Sequence, residues 1–177
     1  EFTLTAKASA TGYYTKTVAL TTTVVSDKSI TGANKKNLTS HHDSRDAKRY
    51  HYTTIGGQKW FSDNLAYFET DAEGNYNFGR PYMDASAAED VFGGFYTWDE
   101  AQRACPTGWH LPSLDEWNAI GDQAGDLMCD AYYNGARLWE FWPDVKVTNA
   151  KRFFAFPVGY ATIVDDAYDF TGFNDYA

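Results

Sequence analysis

The chain has 177 residues, 44% of them hydrophobic and 18% aromatic, which supplies more buriable surface than a disordered segment carries and excludes general disorder. No apolar run approaches the length of a membrane-crossing helix. With 15 basic against 24 acidic side chains and a formal net charge of −9, the chain is a poor match for a phosphate backbone, so nucleic acid is not an expected partner.

Residues 2 to 8 alternate Phe2, Leu4, Ala6 and Ala8 with polar partners, and Thr17 to Val24 alternates again through Val18, Leu20 and Val24. This predicts two strands, joined near Thr11-Gly12, that read as the last hairpin of a β-sandwich. From Ser26 to His42 the sequence turns polar around Gly32, Asn34, Lys35, Lys36 and Asn37, with little to bury, which predicts a linker. Tyr50 to Ile55, Gly56-Gly57 and Gln58 to Phe61 predict a strand, a tight turn and a second strand. Thr97 and Glu100 are spaced as a capping box, with Trp98, Ala101 and Cys105 on one face, so a helix is expected up to Ala104, stopped by Pro106 and Gly108. A second box, Ser113 with Glu116, opens a helix whose apolar face carries Leu114, Trp117 and Ile120. The remainder is irregular, with short strands such as Phe153 to Val158. The fold class expected is α+β, short helices on a small, loop-rich sheet.

Three stretches belong together: Asp43-Ser44-Arg45-Asp46 leading to Ile55-Gly56-Gly57-Gln58-Lys59-Trp60, then Asn64-Leu65, then Tyr96-Thr97-Trp98-Asp99-Glu100-Ala101 running on to Cys105-Pro106-Thr107-Gly108-Trp109-His110-Leu111-Pro112-Ser113. With Glu116-Trp117 and Phe154-Ala155-Phe156-Pro157-Val158-Gly159 following in order, the chain from about residue 43 resembles the Fibrobacter succinogenes major paralogous domain family. Ala47 and Asp63 depart slightly from its usual Gly and Glu. The resemblance implies a C-type lectin-like domain with two short helices and a small antiparallel sheet, a fold that sulfatase-modifying enzymes share. It also implies secreted or surface-attached proteins, commonly of Bacteroidetes and Fibrobacteres, with Ig-like modules upstream. Residues 1–25 are then expected to be the terminal strands of an Ig-like sandwich, 26–42 a linker, and 43–177 the domain itself, lacking C-terminal strands of which one would bear a Cys. Glu1, in place of an initiator Met, fits a piece cut from something longer.

The candidate sites follow from residue type. His110 lies in a tight Gly-Trp-His-Leu-Pro segment with no activating partner in view, and is expected to be structural, its ring bonded to backbone. Trp60, Trp98, Trp109 and Trp117 belong to the motif skeleton and are expected in the core rather than as sugar platforms. His41-His42-Asp43 and His51 offer metal-ligand types in a linker-like stretch, and no metal is expected there. Asp165, Asp166 and Asp169 supply oxygen ligands of the kind Ca²⁺ takes but lack an EF-hand's Gly and Glu, so no cofactor is expected, with Ca²⁺ as the alternative. Tyr132, Tyr133, Asn134 and Arg137, with Tyr168 and the same three aspartates, are the expected ligand-binding residues, because mixed tyrosine, amide and carboxylate surfaces suit recognition. Trp139 and Trp142 fit core or surface equally. Cys105 and Cys129 leave one disulfide or two thiols open; the resemblance adds a Cys beyond the chain as another partner for Cys105.

The function expected is a non-catalytic module at the cell surface or outside the cell, used for adhesion or capture of a glycan or protein ligand. The alternatives are a structural domain that binds neighbouring subunits of a surface filament and, further off, an enzyme of the sulfatase-modifying sort.

Overall fold

The computed structural model describes residues 2–8, 16–22, 30–133, 135–139, 144–165 and 167–171, the first two stretches as backbone alone. Strands β1 (Phe2–Ala8) and β2 (Lys16–Thr22) form an antiparallel ladder with Leu4 opposite Leu20, as the alternation predicts. Strand β3 (Ile30–Thr31) stands apart in sequence from its ladder partner. Strands β4 (Thr39–His42), β5 (Arg49–Ile55) and β6 (Gln58–Phe61) make a three-stranded antiparallel sheet in that order, the last two closed by Gly56-Gly57, both at positive φ.

Short pieces follow: β7 (Glu69–Thr70) with β8 (Tyr76–Phe78), then β9 (Arg80–Pro81) with β10 (Gly94–Phe95), the second pair bracketing helix α1 (Glu89–Phe92). Helices α2 (Trp98–Ala104) and α3 (Leu114–Ala119) both start with complete capping boxes, Thr97 with Glu100 and Ser113 with Glu116. After α4 (Ala124–Leu127), strand β11 (Tyr132–Tyr133) pairs with β12 (Ala136–Arg137) and, on its other edge, with β3. A hairpin of β13 (Ala161–Val164) and β14 (Ala167–Phe170) completes the described chain. The architecture is α+β: short helices among small antiparallel sheets.

The stretch expected as a linker is corrected over 30–42, where β3 and β4 are both laddered. Ile30, Ala33 and Leu38 pack on a core cluster of Met128, Cys129, Ala131, Leu138, Trp139, Phe154 and Phe156. Lys35 crosses to Asp63 at 2.5 Å and lies 5.3 and 5.4 Å from the ring centres of Phe154 and Phe156. Gly32, which reads as a flexible spacer, is a close-approach glycine: at φ +91 a Cβ would stand 2.5 Å from the Asp130 carbonyl oxygen. Polar composition concealed packing that depends on one glycine and one lysine stem. Residues 26–29 lie outside the described residues.

Two hydroxyls fasten the sheet to the loop beyond it, Thr53 Oγ1 donating to the Lys151 carbonyl at 3.0 Å and Ser62 Oγ to that of Arg152 at 2.7 Å. Asp43, 1% exposed, accepts from the Arg45 backbone N–H and guanidinium, and the same guanidinium caps the Ala104 carbonyl at the end of α2 while lying 3.8 Å from the Tyr67 ring centre. One buried ion pair thus joins three segments.

Several tryptophans sit elsewhere than expected. Trp60 is core, at 6% exposure with Ile55 and Ile120, but Trp98 is 70% exposed and Trp117 44%. The buried face of α2 carries Ala104, and that of α3 ends in Ile120, because both helices are too short to bury a full stripe. Trp109 is half-buried, stacked on Phe61 with ring centres 3.8 Å apart. Residues 153–158 form no strand: a lone parallel bridge joins Ala155 to Met128.

Candidate ligand-binding surfaces

Of the residues expected to bind, those on β11 and β12 divide by side. Tyr132 is 40% exposed, whereas Tyr133 turns inward with its ring 4.9 Å from that of Phe92, as alternation along a strand requires. Arg137 reaches back to exposed Asp130 at 2.8 Å, and that carboxylate raises the guanidinium pKa further. Trp139 is core, its indole N–H donating to the Ala155 carbonyl. Asn134, Phe141 and Trp142 lie outside the described residues.

The second expected patch is the β13–β14 hairpin. Tyr168 receives the Arg80 guanidinium 3.7 Å from its ring centre, and Phe170 wedges against Tyr82 and Phe95, so one face of the hairpin is docked. Much of the rest stays in solvent: Ile163 is 55% and Val164 54% exposed, and Asp165 and Asp169 are exposed too. Asp166 lies outside the described residues, and among those described no three His, Cys, Asp or Glu side chains converge as a cation site. His41 instead packs edge-on to Trp109, and His51 Nδ1 is bonded to Asp63 at 2.8 Å.

The concave surfaces are built by residues assigned from sequence to the scaffold. A cleft of about 340 Å³ separates β6 from the segment leading into α3, with Gly57, Gln58, Trp60, Gly108, His110 and Glu116 on its walls. Glu116 closes the α3 capping box through its Ser113 contacts, and the same carboxylate receives Gln58 Nε2 at 3.0 Å and His110 Nε2 at 2.9 Å. The Ser113 backbone N–H and the His110 ring pull the Glu116 carboxyl down to about 2. The expectation that the His110 ring bonds backbone is thereby corrected: its partner is a carboxylate, and its side chain is 70% exposed. The sequence signal for this was the capping box, which folds Glu116 back toward the chain entering the helix.

Beside the cleft lies a larger, half-open groove of about 1000 Å³, walled by aromatic and aliphatic side chains such as Trp109, Phe153 and Phe156. Its lining includes the exposed side chains of Leu111, Trp117, Tyr160 and Ile163. Cys105 opens on it with its thiol pKa pushed up by burial, and buried Cys129 is pushed up to about 11 for the same reason; both are free thiols.

A family model described as the Fibrobacter succinogenes major domain matches residues 53–177. No curated protein and no solved structure matches the chain.

Proposed function

The chain belongs to the Fibrobacter succinogenes major domain family, and on that footing we propose that it is a non-catalytic extracellular module of a bacterial surface protein that captures a glycan or protein ligand. A C-type lectin-like fold and an Ig-like stalk ending near residue 25 are part of this proposal. The observation that carries it is the half-open aromatic groove with Trp117 and Tyr160 exposed along its lining, since contiguous exposed aromatic surface marks interaction sites. Tyr132, Arg137, Asp165, Tyr168 and Asp169 extend the recognition surface with polar groups. Burial raises both thiols, which opposes thiolate chemistry and supports a binding rather than a catalytic reading.

A second reading, an assembly domain of a surface filament, draws on the apolar side chains of Leu111 and Ile163 along the same groove. The test immobilises the chain, exposes it to a glycan array and to extracellular bacterial proteins, and weighs the free chain by light scattering. Capture of a defined glycan or protein by a monomer supports the module. Concentration-dependent self-association with no capture moves the assembly reading ahead.

A further inference from the structure

The cleft between β6 and the entry to α3 is smaller and more polar than the groove beside it, and its hydrogen-bonding groups are unevenly used. Glu116 is fully engaged: Oε1 accepts from Gln58 and His110, and Oε2 from the Ser113 backbone N–H and His110. Carboxylate oxygens only accept, so His110 Nε2 carries the hydrogen it shares with them, and Nδ1, on the other side of the ring, has no partner among the described residues. Gln58 spends one N–H on Glu116, which leaves its carbonyl oxygen and second N–H without a partner among the described residues.

The Gln58 carbonyl oxygen and second N–H, with His110 Nδ1, therefore stand open at the cleft, held by a common carboxylate that orients both side chains. Around them lie half-buried Trp109, whose indole supplies apolar surface, and Gly57 and Gly108, where an added Cβ would meet nothing within 4 Å. The backbone is thus bare where a ligand would approach.

We infer that this cleft binds neighbouring hydroxyls of a neutral sugar ring, one hydroxyl donating to the Gln58 carbonyl oxygen and the next hydrogen-bonded to His110 Nδ1, with the ring's C–H face on the Trp109 indole. A volume of about 340 Å³ falls in the range of small-ligand pockets. Charged ligands fit worse. An anion would face the Glu116 carboxylate in a chain of net charge −9, and a guanidinium would find both Glu116 oxygens occupied, with Lys59 beside the cleft adding a like charge. The inference rests on the module reading above and assigns one site and one ligand class to it.

The test titrates the ¹⁵N-labelled chain with methyl β-D-glucopyranoside and methyl β-D-galactopyranoside, which differ in the direction of one hydroxyl. Saturable shifts at the Gly57 and Gly108 amides and the Trp109 indole N–H signal are expected for at least one of them. Gln58→Met and His110→Phe should each weaken that binding about tenfold, as loss of one hydrogen bond predicts, while the Ser113–Glu116 capping box keeps each variant folded with a thermal transition no more than a few degrees below the parent's. Added salt should leave the affinity unaltered, because the ligand is neutral. Absence of shifts for both glycosides, binding by both variants as tight as the parent's, or steep weakening with salt would each overturn the cleft assignment. A chain that still captures ligands on the array, with both variants binding as tightly as the parent, would keep the module reading and discard only the cleft.

Discussion

Arg45→Met isolates the buried ion pair on which three segments converge. The Asp43 side chain is 2% exposed and that of Arg45 27%, so the substitution leaves a carboxylate almost out of water with only the residue 45 backbone N–H at 3.0 Å to serve it. Removing one partner of a fully buried pair costs about 3–5 kcal/mol; the partial exposure of Arg45 and the surviving N–H bond reduce that to about 2–3 kcal/mol. For a chain of this size the melting temperature should fall by roughly 5–10 °C. Acid supplies the sharper reading. In the parent chain, burial alone would raise the Asp43 carboxyl, but the Arg45 bonds outweigh it and hold the group below its ordinary value. The pair's contribution is therefore fully present above about pH 4 and lost as pH falls through the carboxyl's lowered value. In Arg45→Met burial, the largest influence on this carboxyl, is opposed only by the residue 45 backbone N–H and His41, so the carboxyl moves up and the penalty shrinks as pH falls. Urea midpoints at neutral pH and near pH 3.5 should thus show the gap between parent and variant closing in acid. A gap of equal size at both would refute the electrostatic account and assign the loss to the guanidinium stacked over Tyr67.

Trp139→Ala should cost about 3–5 kcal/mol, whereas Trp98→Ala, at a 70% exposed site, should change stability by no more than about 0.5 kcal/mol; urea denaturation ranks them, and the reverse order would contradict the packing. Glu116, lowered to about 2, stabilises the fold above the ordinary glutamate range near 4.3, with that stabilisation lost as pH falls toward 2. Glu116→Gln should therefore be less stable at neutral pH and lose less on acidification, as near-ultraviolet circular dichroism will show. Native-state hydrogen exchange should find the ladder amides of β4 as slow as those of β5, while fast exchange there would restore a connector. Iodoacetamide should label Cys105 before Cys129, whose thiol is buried and raised to about 11.

Local rules located much of this fold. Alternation found β1 and β2, the Gly56-Gly57 turn between two short strand-forming runs found β5 and β6, and the two capping boxes found α2 and α3, because those signals reside in neighbouring residues and survive whatever packs on them. Burial was less legible. Trp98 and Leu114 sit at helical spacing yet face solvent, since a helix of six or seven residues contacts the core over one turn and its first residues overhang. Residues 30–42 read as linker because Lys35 and Gly32 look polar or flexible until Asp63, Phe154 and Asp130 are brought beside them from far along the chain. The cleft joins Gln58, His110 and Glu116 across 58 positions of sequence, a meeting that depends on tertiary structure; only the Ser113–Glu116 half was local.

Ligand capture through the aromatic groove is most directly tested by comparing the chain with a Trp117→Ala/Tyr160→Ala variant on the same glycan array and extracellular protein extract, with a Trp98→Ala chain, altered at an exposed site outside the groove lining, as the control. Both changed residues line the groove and are 44% and 49% exposed. The module account predicts that all three chains unfold within a few degrees of one another and that the groove variant loses about tenfold or more in retention of whatever the parent captures. Retention undiminished in the groove variant, or absent in the parent, would contradict it.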